Sequence, residues 1–186
     1  MLPINLKPTL KTPSPNPQYA VPHSKVGLSA IEMSSSSKGA ILITGANGGL
    51  GTAIVKQVVS QANLAAHYGL YMVKDATTAT ALRGALAGHP EHVHDVLEMD
   101  LTRMESVRRA AETINTRVAA GEIPTIRALI LNAGYQNLST QVEGPEGLDP
   151  TFTVNYLGHW LFVLLLLKSM DKQFGRIVVV GSQVHE

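Results

Sequence analysis

Five short apolar runs, separated by stretches of helical periodicity, restrict the fold of this chain more than any other feature. The first run, Ala40-Ile41-Leu42-Ile43, is continuous and of strand length. A strand covered on both faces by helices reads this way, whereas a half-solvated strand alternates. Leu70 to Val73, Val96 to Met99, Ala128 to Leu131 and Ile177 to Val180 repeat the pattern. Helical segments fill the intervals. Gly51 to Ser60 sets Ile54, Val55, Val58 and Val59 on one side, and Thr77 to Leu86 ends where Gly88 can terminate it. Thr102-Arg103-Met104-Glu105 matches a capping box and opens a helix to about Ala120. Asp149-Pro150 supplies an N-cap and a first-turn proline for a long helix through Leu167.

Strands joined by helical crossovers pair in parallel, and right-handed crossovers place helices on both faces. The expected fold class is therefore α/β, a doubly wound, Rossmann-like parallel sheet with about five strands present. Ligands of such sheets bind beyond the carboxyl ends of the strands.

Composition narrows the function. At 186 residues, 45% apolar and 16% charged, the chain has enough to bury for one globular domain. A net charge of +1 offers no electrostatic case for nucleic acid or an acidic membrane. The longest unbroken apolar run, Leu161 to Leu167, is far short of the ~20 residues of a membrane span and reads as a core-facing helix. The chain has no cysteine, which fits a reducing, cytoplasmic location. His89, His92 and His94 crowd one loop, but no helix fixes their spacing; solvated histidines are expected there, and no metal.

The first 38 residues differ from the rest. Six of the ten prolines fall between Pro3 and Pro22, and Ser34 to Ser37 form a run, so residues 1–38 are expected to be a disordered extension. With no arginine and no apolar stretch, the segment fits secretory and mitochondrial signals poorly. Met33 is expected to be the functional start. The incomplete Rossmann domain is expected to occupy residues 39–186.

The first strand runs directly into Thr44-Gly45-Ala46-Asn47-Gly48-Gly49-Leu50-Gly51. Between a buried strand and an amphipathic helix, such a loop lets backbone N–H groups and a helix N-terminus meet a pyrophosphate. Two spacings coexist. Gly45, Gly49 and Gly51 fit T-G-x-x-x-G-x-G, while Gly45, Gly48 and Gly51 fit G-x-x-G-x-x-G.

Further motifs follow in order: Asp100-Leu101 after the third strand, Asn132-Ala133-Gly134 after the fourth, Val154-Asn155-Tyr156-Leu157-Gly158-His159 in the long helix, and Arg176-Ile177-Val178-Val179-Val180-Gly181-Ser182 at the last strand. Together with the first glycine spacing they resemble the short-chain dehydrogenase/reductase family, in its retinol-dehydrogenase-like group. The second spacing resembles the family's extended relatives. The resemblance implies hydride transfer between a nicotinamide and a carbonyl or alcohol carbon of a small molecule. It implies that Ser182 and Asn155 are catalytic, the first bonding the reacting oxygen and the second holding a relay water through its backbone. It also implies a cofactor held by Thr44, Gly45, Asn47, Gly49, Leu50, Gly51, Lys74, Asp100, Leu101, Asn132, Ala133 and Gly134, with Asn132 bracing the sheet. The family's acidic, NAD-selecting position falls on Val73 with Lys74 beside it, which favours NADP over NAD.

The family's acid/base is a tyrosine four residues before a lysine. None of Tyr19, Tyr68, Tyr71, Tyr135 or Tyr156 has that partner. The chain is thus expected to be a C-terminally truncated oxidoreductase with impaired activity, its full-length relatives being homodimers. The alternatives are a non-catalytic NADP-binding sensor or interaction module, and an unstable fragment that binds nothing.

Overall fold

The structure is a computed structural model that describes residues 38–137 and 142–182; the expected extension, apart from Lys38, lies outside them. Strands β1 (Ala40–Thr44), β2 (Tyr68–Val73), β3 (His94–Glu98), β4 (Ile126–Leu131) and β5 (Arg176–Val179) form one parallel sheet in the order β3-β2-β1-β4-β5. Between them lie α1 (Gly49–Ser60), the single turn α2 (Ala62–Ala65), α3 (Thr80–Leu86), α4 (Met104–Ala119) and α5 (Pro150–Ser169). The doubly wound parallel sheet is the architecture that the continuous apolar runs demand.

Helices cover both faces. On one, Leu42, Leu70 and Met72 pack with Val107 and Ile114 of α4 and Phe162 and Leu166 of α5. On the other, Ile41, Ile43 and Tyr71 pack with Val55 and Val59 of α1 and Leu82 of α3. All residues of β1 and β2 are buried as a result. The chain winds outward from β1 to β3, then returns to β4 on the other side of β1. That reversal opens a crevice at the carboxyl ends of β1 and β4.

Several local expectations need correction. The helix expected from Thr77 begins at Thr80, because the Asp75 carboxylate accepts from the Thr77 amide (2.8 Å) and hydroxyl (2.6 Å) and holds a turn there. The capping box does not form. The Thr102 amide and hydroxyl both donate to Asp100 Oδ1, at 2.9 and 2.7 Å, so the amide is not left for Glu105, and the N-cap position falls on Arg103, which makes no side-chain cap bond. α4 instead begins at Met104, whose amide donates to Glu146 from a distant loop (2.5 Å).

The N-cap of α5 forms as its sequence suggests. Asp149 Oδ1 accepts from the amides of Thr151 (2.7 Å) and Phe152 (3.1 Å), with Pro150 at the first position. Over Thr153–Gly158 the helix widens to a π turn, and Gly158 lies so close to the Leu101 carbonyl that an added Cβ would sit 2.8 Å from it.

The leucine run is not a single core-facing surface. Phe162 and Leu166 are buried, whereas Trp160, Leu164 and Leu167 are exposed. By length and composition alone α5 could cross a membrane, although its inner side is built into the core beside α4. Nor is His92 a solvated loop residue. It is buried, its Nε2 is bonded to the Tyr71 hydroxyl (2.7 Å), and its Nδ1 lies 3.0 Å from the Ala65 carbonyl.

Candidate functional site

The crevice depends on two glycines that let three segments converge. Gly45 has a positive φ of 66°, and a Cβ there would lie 2.8 Å from the Ala133 backbone. A Cβ on Gly51 would sit 2.1 Å from the Gly45 carbonyl and 2.9 Å from Asn132 Nδ2. Both overlapping spacings in the sequence contain this pair. The middle glycine separates them. Gly48 is the extended N-cap of α1, with a contact at 3.4 Å, while a Cβ on Gly49 would meet nothing within 4 Å. Gly49 therefore leaves free space over the start of α1, which has no side-chain cap and no acidic residue in its first turn. That space suits an anion, because the first N–H groups of a helix lack partners within it.

Thr44 organises the crest between β1 and β4. Its hydroxyl oxygen accepts from the amides of Asn132 and Ala133, each at 3.0 Å, and lies 2.9 Å from His159 Nε2. Asn132 Nδ2 donates back to the carbonyls of Thr44 (3.0 Å) and Gly45 (3.3 Å). The asparagine thus braces the two central strands through three hydrogen bonds. Burial drives the pKa of His159 down to about 4, partly offset by a hydrogen bond to the Asn155 backbone, so the ring is neutral near pH 7.

All the predicted cofactor-binding residues line one cleft of about 1160 Å³. They do different things there. Asn47 Oδ1 accepts from the Leu82 amide (3.1 Å) and so ties the glycine loop to α3. Lys74, at the end of β2, is mostly exposed and lies 3.7 Å from Asp100 Oδ2. Val73 is buried, and the Asp75 carboxylate is held by Thr77, whose hydroxyl and amide pull its pKa down.

The two expected catalytic residues are placed less directly. Asn155 lies outside the cleft lining but clamps it: its Oδ1 accepts from the Tyr135 amide and its Nδ2 donates to the Tyr135 carbonyl, both at 2.8 Å. Ser182 lies beyond β5, past the bond from the Val180 amide to the Leu131 carbonyl, and does not line the cleft.

Sequence reasoning missed Tyr135, Arg103, His159 and the segment Val142–Pro145, all at or against the cleft. A histidine midway along an otherwise mostly apolar helix was the available signal for His159. Nothing in the local sequence around Val142 announces the wall it forms.

A parallel sheet with this strand order, whose reversal point holds a glycine loop, defines a dinucleotide-binding type of α/β domain. The family model for short chain dehydrogenase matches residues 39–186, and the chain belongs to that family. The short-chain dehydrogenase iccH of Talaromyces variabilis is 50% identical over 153 residues, covering 80% of this chain and 42% of that protein. The short chain dehydrogenase yanD of Aspergillus niger is 32% identical, with 78% and 45% covered. Among solved structures, a metagenomic short-chain oxidoreductase in complex with NADP aligns with a TM-score of 0.62 at 20% identity, over 81% of this chain and 64% of that one. The chain spans less than half the length of the two fungal relatives.

Proposed function

We propose that the cleft binds NADP and that the protein belongs to an oxidoreductase moving hydride between the nicotinamide and a carbonyl or alcohol carbon of a small molecule. The bound cofactor would supply or accept the hydride. The observation that carries the NADP reading is the cation at the end of β2. Lys74 lies beside Asp100 at the cleft wall, and the nearest carboxylate on its own strand end, Asp75, is turned to Thr77. An acidic residue aimed at the ribose would favour NAD; a lysine there favours a 2′-phosphate.

The strand order supports one orientation of the dinucleotide. Lys74, Asp100 and Leu101, at the ends of β2 and β3, would hold its adenine half. Gly49 and the start of α1 would hold its phosphates, and Asn132, Ala133 and Gly134 above β4 its nicotinamide half. Ser182, one strand further on, would bond the reacting oxygen, and Asn155 would act from behind the same loop. The exposed row Phe152, Tyr156, Trp160 and Leu164 on α5 supports self-association of the chain.

Fluorescence titration with NADPH and NADH tests the cofactor reading. Lys74→Ala is expected to weaken NADPH binding about 10- to 100-fold, as for a lost charge-assisted bond, and to leave NADH unchanged. Equal loss for both cofactors would overturn it.

A further inference from the structure

We propose that His159 is a positioning residue: a neutral imidazole, protonated on Nδ1 alone, that bridges Thr44 to the Asn155 backbone and sets the nicotinamide end of the crevice. Hydrogen-bond counting at Thr44 leads there. A hydroxyl has one proton and two lone pairs. Both lone pairs of Thr44 are taken by the amides of Asn132 and Ala133. Its proton must then go to His159 Nε2, 2.9 Å away, so that nitrogen is bare. The ring proton then sits on Nδ1, the nitrogen left to face the Asn155 backbone one turn earlier in the helix.

The bridge connects two otherwise separate parts of the wall. Thr44 ends β1 and holds Asn132 and Ala133 in place. Asn155 lies in the π turn and holds Tyr135, just beyond Gly134, through its side-chain amide. One ring thus fixes the segment from Asn132 to Tyr135 from below, through Thr44, and from its far end, through Asn155. By the strand order, that segment faces the nicotinamide half and not the adenine half.

The assignment of the ends rests on the NADP reading; the tautomer does not, and the two can be tested apart. Long-range proton–nitrogen NMR of the histidine-labelled 186-residue chain at neutral pH is expected to show His159 as the Nδ1–H form. An Nε2–H ring or an imidazolium would overturn the bridge, whatever the cofactor does. His159→Gln retains an acceptor for Thr44 but cannot also reach Asn155, and His159→Asn does the reverse. Each is expected to bind NADPH about tenfold more weakly while affinity for adenosine 2′,5′-bisphosphate, which has no nicotinamide, stays unchanged. Parallel losses for both ligands would mean a merely structural role and refute the positioning. If the unsubstituted chain binds neither ligand, the NADP reading fails, and the NMR result alone decides the bridge.

Discussion

β1 and β5 belong to one sheet, with only β4 between them, and are built from the same kinds of residue, Ala-Ile-Leu-Ile-Thr and Arg-Ile-Val-Val. Every residue of β1 is buried and every residue of β5 is exposed, Val179 by 71%. β1 has helices on both faces and a neighbour on each side. β5 pairs with β4 alone among the described strands. An apolar run thus reports that a strand forms but not what covers it. The crevice follows the same division, being lined from β1 and β4 but not from β5, where Ser182 stands apart from the lining.

Substitutions can break or sharpen this contrast. The largest effect is expected from Gly51→Val, whose side chain would start 2.1 Å from a carbonyl oxygen; the domain should lose its cooperative melt in circular dichroism. A Cβ added at Gly49 meets nothing within 4 Å, so Gly49→Ala should melt like the parent yet weaken NADPH binding. Next, Leu42→Ala in the buried strand should cost about 2–5 kcal/mol in urea unfolding, from lost burial and a residual cavity.

Acid comes third. Burial lowers the pKa of His92 and His159, so an unfolded chain takes up protons that the folded one refuses. Stability should be fully present above about pH 6.5, the ordinary histidine value, and fall as pH drops below it. For His159 the loss should continue to about pH 4, with up to about 1.4 kcal/mol per pH unit for each proton so taken up. A denaturation series from pH 8 to pH 4 checks the sign, and His92→Gln should flatten the slope. The smallest change, within about 0.5 kcal/mol, is expected for Val179→Thr on the exposed strand. A loss comparable to that of Leu42→Ala would mean that β5 is covered in solution.

Much of the fold was legible because its signals are local. Continuous apolar runs identified all five strands, and Asp149-Pro150 marked the start of α5 to the residue. The lining of the cleft was legible because glycine and Asn-Ala-Gly motifs sit where strands end. What escaped depends on partners distant in the chain. The capping box failed because Asp100 claimed Thr102 and Glu146 claimed the helix. His92 looked like a surface residue until β2 supplied the Tyr71 hydroxyl. Thr44 read as one letter of a glycine motif, although its hydroxyl bonds residues 88, 89 and 115 positions away.

The Asn155 side chain meets both polar groups of the Tyr135 backbone, as a neighbouring strand would. A single amide thereby replaces a rung of sheet at the point where β4 gives way to loop. Undoing that clasp forfeits two neutral hydrogen bonds, about 1–3 kcal/mol together. Turning that one side chain would release the Tyr135 backbone and leave the bonds between Thr44 and Asn132 in place.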